Sequence, residues 1–259
     1  MAPLLQDYDA FLFDLDGVLY RGAEPIEGAP EALAALRAAG RRVAFMTNNS
    51  ARPPTVVAER LRRVGIQADP EEVETSAQAT AELLAGRGCR TAFVIGEAGI
   101  KEALAAAGIE VLGAKPATAD AVVVGWDRQA DYAKLRTASV LIQGGAAFVG
   151  TNGDASFPAA DGTQWPGAGA LLAAIATATG ASPEIVGKPN APLYIAARAR
   201  AGGGVPLVIG DRLDTDIAGA AALGWDSLLV LTGITRRDDL ATSSVRPTHV
   251  SADLSVLHR

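Results

Sequence analysis

Asp14-Leu15-Asp16-Gly17 sets two carboxylates two residues apart, followed by a glycine that permits a tight turn. One carboxylate of such a pair can attack phosphorus while its neighbour moves protons for the leaving group and then for water. Two carboxylates facing a phosphate repel it, so the pair calls for a hard divalent cation bound by oxygen. Asp211, in Gly210-Asp211-Arg212-Leu213-Asp214-Thr215-Asp216, is the natural third oxygen ligand, and Asp216 falls in the first helical turn after it. Thr47-Asn48-Asn49-Ser50 offers hydroxyls, amides and backbone N–H groups just ahead of a helix, a cradle for phosphate oxygens. Lys188, in Gly187-Lys188-Pro189, is one of four lysines (with Lys101, Lys115 and Lys134) in a chain whose other 19 basic residues are arginines. A lysine beside a proline, where arginine is the default cation, points to a need for a compact point charge.

Each of these signals also has an ordinary reading. Aspartates sit in turns and at helix N-caps, Thr47–Ser50 can be a capping turn, and Lys188 can be a solvated surface lysine. Among the acids at 210–216, Asp214 is the one expected to cap the helix.

What joins the signals is their place relative to apolar strands. Residues 11–13 run into Asp14, 43–46 into Thr47, and 207–210 into Asp211. In a parallel sheet those three exits share the carboxyl edge, where α/β proteins bind ligands. Strand-like runs at 10–13, 43–46, 92–95, 121–124, 147–150, 206–209 and 227–231 alternate with helical segments. The helices are expected at 29–39, 55–64, 77–84, 100–107, 132–142, 169–179 and 214–223, several of them ending in glycine. The alternation predicts an α/β fold with a parallel sheet. Composition marks no linker: 115–119 and 202–204 read as ordinary loops.

The bulk properties narrow the chemistry further. A chain of 259 residues suits one large domain or two smaller ones, and 49% hydrophobic residues is the composition of a packed globular protein. The mean hydropathy of +0.20 comes largely from alanine. The apolar runs are strand-length, far short of the ~20 residues that span a bilayer. No basic segment followed by an apolar stretch opens the chain, so no signal peptide is read and a soluble, cytoplasmic protein is expected. A net charge of −6 argues against nucleic acid as partner, and the cluster Arg60, Arg62, Arg63 reads as a solvated helix face. Cys89 stands alone, which excludes an internal disulfide and a cysteine zinc site. With only His249 and His258, a histidine triad is disfavoured. Carboxylates are left to carry the chemistry.

Taken in order, the four segments resemble the motifs of the haloacid dehalogenase (HAD) superfamily, within it the NagD-like phosphatases. The likeness covers nearly the whole chain and includes Thr151-Asn152-Gly153-Asp154, Phe157-Pro158 and Pro166-Gly167-Ala168-Gly169. It extends in general terms to actinobacterial glycerol-3-phosphate phosphatases. The resemblance implies a Rossmann-like parallel-sheet core, residues 1–79 and 184–259, with a large α/β cap inserted at 80–183 that closes over the core's carboxyl edge. It implies Asp14 as nucleophile and Mg²⁺ ligand, Asp16 as general acid/base binding the metal through its backbone carbonyl, and Asp211 as the further metal ligand. Asp216 is implied to bind the metal or a water on it. Thr47, Asn48 and Asn49 would hold phosphoryl oxygens, and Lys188 would neutralise charge. Trp126, Asp127, Phe157 and Pro158 are the cap residues placed to contact the leaving group, with ordinary packing as their other reading. Gly167 and Gly169 look like a phosphate loop but are read as shaping a helix start. The expected activity is hydrolysis of a small phosphate ester, such as glycerol phosphate, a sugar phosphate or p-nitrophenyl phosphate, through an aspartyl-phosphate. A phosphotransferase or mutase using the same intermediate, and a non-catalytic phosphometabolite-binding protein, are the alternatives. Cap-mediated dimers occur among relatives, which leaves a homodimer of that kind as one open assembly for this chain.

Overall fold

The computed structural model describes residues 4–158 and 162–258; the side chains of residues 4, 5 and 158 lie outside that description. The chain divides into two compact units. One comprises the chain up to Thr47, Pro54–Glu74 and the chain from Lys188 onward; the other comprises Asn48–Pro53 and Thr75–Gly187. The resemblance implied an insertion at 80–183, whereas the second unit runs over Thr75–Gly187 and also takes in Asn48–Pro53.

The first unit is built on a six-stranded sheet in the order His249–Ser251, Asp226–Val230, Pro206–Gly210, Ala10–Phe13, Arg42–Thr47, Val73–Thr75. The pairings from His249–Ser251 across to Arg42–Thr47 are all parallel. Ala10–Phe13 is buried at every position, as a central parallel strand covered on both faces must be. Leu33, Leu36 and Leu61 from the helices Ala29–Ala38 and Pro54–Arg63 join Phe11, Phe13 and Phe45 in one apolar core. Phe13 is level with Ile209 on one side and Phe45 on the other. Asp14 therefore leaves the sheet at the edge where Thr47 and Asp211 arrive one residue later. The chain proceeds from Ala10–Phe13 to one neighbour and returns much later as the other, so Asp14 stands at a topological switch point.

The second unit has its own five-stranded parallel sheet, ordered Glu184–Ile185, Ala147–Gly150, Ala121–Val124, Thr91–Ile95, Glu110–Val111. Phe93, Val122, Phe148, Leu141, Leu172 and Ile175 form its core. Its first helix, Ser76–Gly86, starts on a capping box between Thr75 and Gln78. An antiparallel pair, Ser156–Pro158 with Gln164–Pro166, stands apart from the sheet.

The edge strands Val73–Thr75, Glu110–Val111, Glu184–Ile185 and His249–Ser251 were not anticipated, and two helical elements also differ from the sequence reading. The single helix expected at 214–223 is a wide π-type turn, Leu213–Ile217, followed by a short α-helix, Ala218–Ala222. The wider turn lets Asp216 Oδ2 accept from the Arg212 N–H at 3.1 Å while its other oxygen meets Lys188. The helix Ala191–Arg200 was not anticipated; Pro192 looks like a breaker but occupies the first turn, where a missing N–H leaves no bond unmade. Among the described residues no helix is long and apolar enough to cross a membrane.

Candidate active site

Lys188 is the hub of the first unit's carboxyl edge. Its Nζ lies 2.5 Å from Asp14 Oδ1 and 2.6 Å from Asp216 Oδ1, with only 4% of its side chain accessible. Burial works against the ammonium charge, but Asp14 and Asp216 more than offset it and hold the lysine's pKa above its ordinary value. The lysine is thus a fixed positive charge, not a surface residue.

Oxygens of Asp14, Asp211 and Asp216 all lie within 4.8 Å of one another. Three carboxylates face one ammonium, so the cluster carries an excess of negative charge in a place with little water. The consequence falls on the carboxyl groups. Burial, with Asp216 and Asp211 adding to it against the pull of Lys188, pushes Asp14 up to about 8. Burial and Asp216 push Asp211 up to about 6, although the Ile234 N–H bonds its Oδ2 at 2.7 Å. Asp211 Oδ1 is buried and has no hydrogen-bond partner among the described residues. A buried carboxylate oxygen left without a donor is costly unless something positive meets it. An all-oxygen, multiply negative donor set of this kind fits Mg²⁺.

The backbone closes tightly around Asp211. A Cβ on Gly17, whose φ is +85°, would stand 2.6 Å from Asp211 Oδ2, and one on Gly233 would stand 1.9 Å from it. Both positions require glycine, and the Thr232 hydroxyl ties the two loops by donating to the Gly17 carbonyl at 2.7 Å. This cradle was not anticipated from the sequence, because a backbone N–H such as that of Ile234 carries no residue-type signature.

Asp16 lies at the same edge but faces differently. Its side chain is 66% accessible, and Oδ1 is 3.6 Å from the Arg60 guanidinium. The surrounding protein still displaces enough water to raise its carboxyl pKa, with Arg60 and then Lys188 drawing it back. Asp214, the expected capping acid, forms a bidentate pair with Arg212 at 3.0 and 2.8 Å, which holds its pKa below the usual carboxylate range.

Thr47 closes its strand as a buried residue. Asn48 and Asn49 belong to the second unit. The Asn48 carbonyl accepts from Ser76 Oγ and from Asn152 Nδ2, each at 2.7 Å, and its side-chain amide donates to Asp154 at 3.4 Å. Asn49 Oδ1 accepts from the Ala51 N–H at 2.9 Å. The Thr151–Asp154 stretch thus fixes the segment that follows Thr47.

Elsewhere in the second unit, Trp126 stacks on Phe157 with ring centroids 4.3 Å apart, and Trp165 lies 6.4 Å from Trp126. The Trp165 side was not anticipated. Asp127 bonds Lys134 Nζ with Oδ2 at 2.7 Å and the Gln129 N–H with Oδ1 at 2.8 Å, so both of its oxygens are engaged. Pro158 ends a strand as backbone, its side chain lying outside the described residues. Gly167 precedes the helix Ala168–Thr179 as its N-cap.

A family model described as haloacid dehalogenase-like hydrolase matches residues 11–110, and a HAD-hydrolase-like model matches 185–257. The D-glycerol 3-phosphate phosphatase of Mycobacterium tuberculosis is 39% identical over an aligned length of 264 that covers 100% of this chain and 73% of that protein. A crystal structure of glycerol phosphate phosphatase from the same organism, in complex with magnesium, superposes with a TM-score of 0.92 at 38% identity, covering 99% of this chain and 78% of that one. An acid sugar phosphatase of Staphylococcus aureus is 35% identical over 254 residues, 97% of each chain. NagD from Escherichia coli K-12 has a TM-score of 0.88 at 28% identity over 95% of this chain and 97% of that one.

Proposed function

The chain belongs to the haloacid dehalogenase-like hydrolases, and we propose that it hydrolyses a small phosphorylated polyol or sugar, with Mg²⁺ as cofactor and Asp14 as nucleophile. The observation that carries this reading is the cluster at the sheet edge: Asp14 against buried Lys188, with Asp216 and the partnerless Asp211 Oδ1 beside it. Asp14, Asp211 and Asp216, with the Asp16 backbone carbonyl, are the groups that would hold Mg²⁺. When bound, Mg²⁺ supplies positive charge that offsets the repulsion between these carboxylates and a phosphoryl group.

The steps follow from the residues. Asp14 attacks phosphorus and the bond to the ester oxygen breaks, while Asp16 donates a proton to the departing oxygen. Water then attacks the phosphorus of the aspartyl-phosphate, Asp16 takes its proton, and the bond to Asp14 breaks to restore the carboxylate. Lys188 keeps Asp14 oriented and offsets its charge throughout. Thr47 and the Asn48–Asn49 segment bind phosphoryl oxygens. The second unit selects the leaving group, with Trp126, Asp127, Phe157 and Pro158 as the residues assigned to it; the names of the relatives, one a glycerol 3-phosphate phosphatase and one an acid sugar phosphatase, support a small polar substrate. The single cysteine fits a reducing, cytoplasmic setting.

The test is phosphate release from glycerol phosphate and a panel of sugar phosphates, with Mg²⁺ or with EDTA, and with or without a sugar acceptor. Release that needs Mg²⁺ and ignores the acceptor is expected. Transfer to the acceptor in place of release would make the enzyme a phosphotransferase, and no turnover of any ester would make it a binding protein.

A further inference from the structure

Arg60 was read from the sequence as part of a solvated basic face, and its surroundings contradict that. It projects from the helix Pro54–Arg63, and its guanidinium carbon lies 4.1 Å from the centroid of the Tyr20 ring. Tyr20 is itself 2% accessible, so the ring is a fixed platform. Nη2 donates to the Gly22 carbonyl at 2.9 Å, and the same nitrogen stands 3.6 Å from Asp16 Oδ1. Tyr20 and Gly22 belong to the small hairpin Tyr20–Arg21/Glu24–Pro25 that follows Asp16, and a bridge pairs Asp16 with Tyr20. Arg62 and Arg63 differ: Arg62 bonds the Ala68 carbonyl, and Arg63 pairs with Glu59 one turn away on its own helix. Of the three arginines, Arg60 alone reaches the segment that carries the catalytic acids.

We propose that Arg60 is a positioning residue for Asp16, holding the acid/base carboxylate through a guanidinium that is clamped between the Tyr20 ring and the Gly22 carbonyl. The proposal rests on the role given to Asp16 above. An ion pair with partners 43% and 66% accessible contributes little to stability by itself. Its effect is orientational. Asp16 can turn about its side-chain bonds at an open sheet edge, and a planar cation fixed by stacking and by a backbone acceptor restricts where it points. A lysine could supply the charge but not the stack-and-fork geometry. The helix Pro54–Arg63 lies far along the chain from the hairpin, so no local sequence pattern announces the contact.

Proton donation matters for an alkoxide leaving group and little for p-nitrophenolate, which departs as a stable anion. The rate constant kcat/KM covers the steps through departure of the leaving group, so the ratio of kcat/KM for glycerol phosphate to that for p-nitrophenyl phosphate reads the donation. The experiment measures that ratio, with melting temperatures, for the full chain and for Asp16→Asn, Arg60→Ala, Arg60→Lys and the double variant Asp16→Asn/Arg60→Ala. Arg60→Ala is expected to lower the ratio about tenfold, a part of the 10²- to 10⁴-fold that a positioned acid supplies. Arg60→Lys should recover only part of that loss, and Arg60→Ala should change nothing further once Asp16 is Asn. An equal fall in kcat/KM for both esters, or an additive loss in the double variant, would overturn the proposal. If Asp16→Asn itself left the ratio unchanged, the acid role of Asp16 would fail, which is a different result from an unchanged ratio in Arg60→Ala alone.

Discussion

The two parallel sheets of this chain treat charge at their carboxyl edges in opposite ways. In the second unit, Glu97 follows the strand Thr91–Ile95 and takes Arg128 in a bidentate pair, and Asp127 follows Ala121–Val124 and takes Lys134. Glu97 and Asp127 each have their own base. In the first unit Asp14 and Asp216 share one lysine, Asp211 stands close beside them, and its Oδ1 has no hydrogen-bond partner among the described residues. Folding free energy favours the first arrangement, since buried like charges raise each other's cost. The second calls for a positive counter-charge, such as a divalent cation, to complete the balance. Charge left in excess calls for a cation, and charge paired off does not.

The contrast can be broken most severely at Asp14. Asp14→Asn preserves shape but removes the attacking electron pair, so kcat should fall by about three orders of magnitude or more while the melting temperature holds or rises. Steady-state phosphate release from the folded variant checks this, and retention of more than about a hundredth of wild-type kcat would contradict covalent catalysis.

Lys188 comes next. Lys188→Met leaves Asp14 and Asp216 buried together without their cation, an error that typically costs about 3–5 kcal/mol. Thermal unfolding should show a large loss in EDTA, partly restored by Mg²⁺. A loss as small as that for an exposed pair such as Arg87–Glu184, whose side chains are 48% and 44% accessible, would erase the distinction between the two edges.

A smaller effect follows from pH. The carboxyl of Asp14 sits at about 8 and that of Asp211 at about 6, both above the ordinary value of 3.8. Between the unfolded and folded values the native state holds more protons than the unfolded state, so these groups make the metal-free protein less stable as pH rises from about 4 towards 8. Mg²⁺ competes with those protons. The rise in melting temperature on adding Mg²⁺ should therefore be larger at pH 8 than at pH 6, as scanning calorimetry at matched ionic strength would measure. An equal or smaller rise at pH 8 would remove the excess of charge from the account.

The smallest expected effect on chemistry lies in the second unit. Trp126→Ala removes one face of the stack with Phe157 and should shift relative kcat/KM among polyol, sugar and aryl phosphates by about tenfold, with a modest change in melting temperature. An unchanged preference with a destabilisation of about 3–5 kcal/mol would make Trp126 a packing residue.

The parts legible in the sequence were those with a residue-type signature. Phe11-Leu12-Phe13 before Asp14 and Val208-Ile209-Gly210 before Asp211 announced buried strands ending in acids, and the register brings those ends together. Lys188 stood out because lysine is rare in the chain. Three of the features that were not legible show why. The π-type turn at Leu213–Ile217 arises from Asp216 turning back towards Lys188, a tertiary demand that local periodicity does not encode. The transfer of Asn48–Pro53 to the second unit depends on Ser76, Asn152 and Thr151 reaching back to it. Arg60 looked like one arginine among three until the Tyr20 ring was found beneath it.

The central claim is that the phosphoryl group passes through Asp14. Rapid acid quench of the enzyme during turnover, followed by borohydride reduction and peptide mass spectrometry, reads this directly, because hydride converts an acyl phosphate to an alcohol and leaves a carboxylate untouched. The account predicts homoserine at position 14, formed only with substrate and Mg²⁺ present. Aspartate recovered intact at position 14 from enzyme shown to be turning over would contradict it.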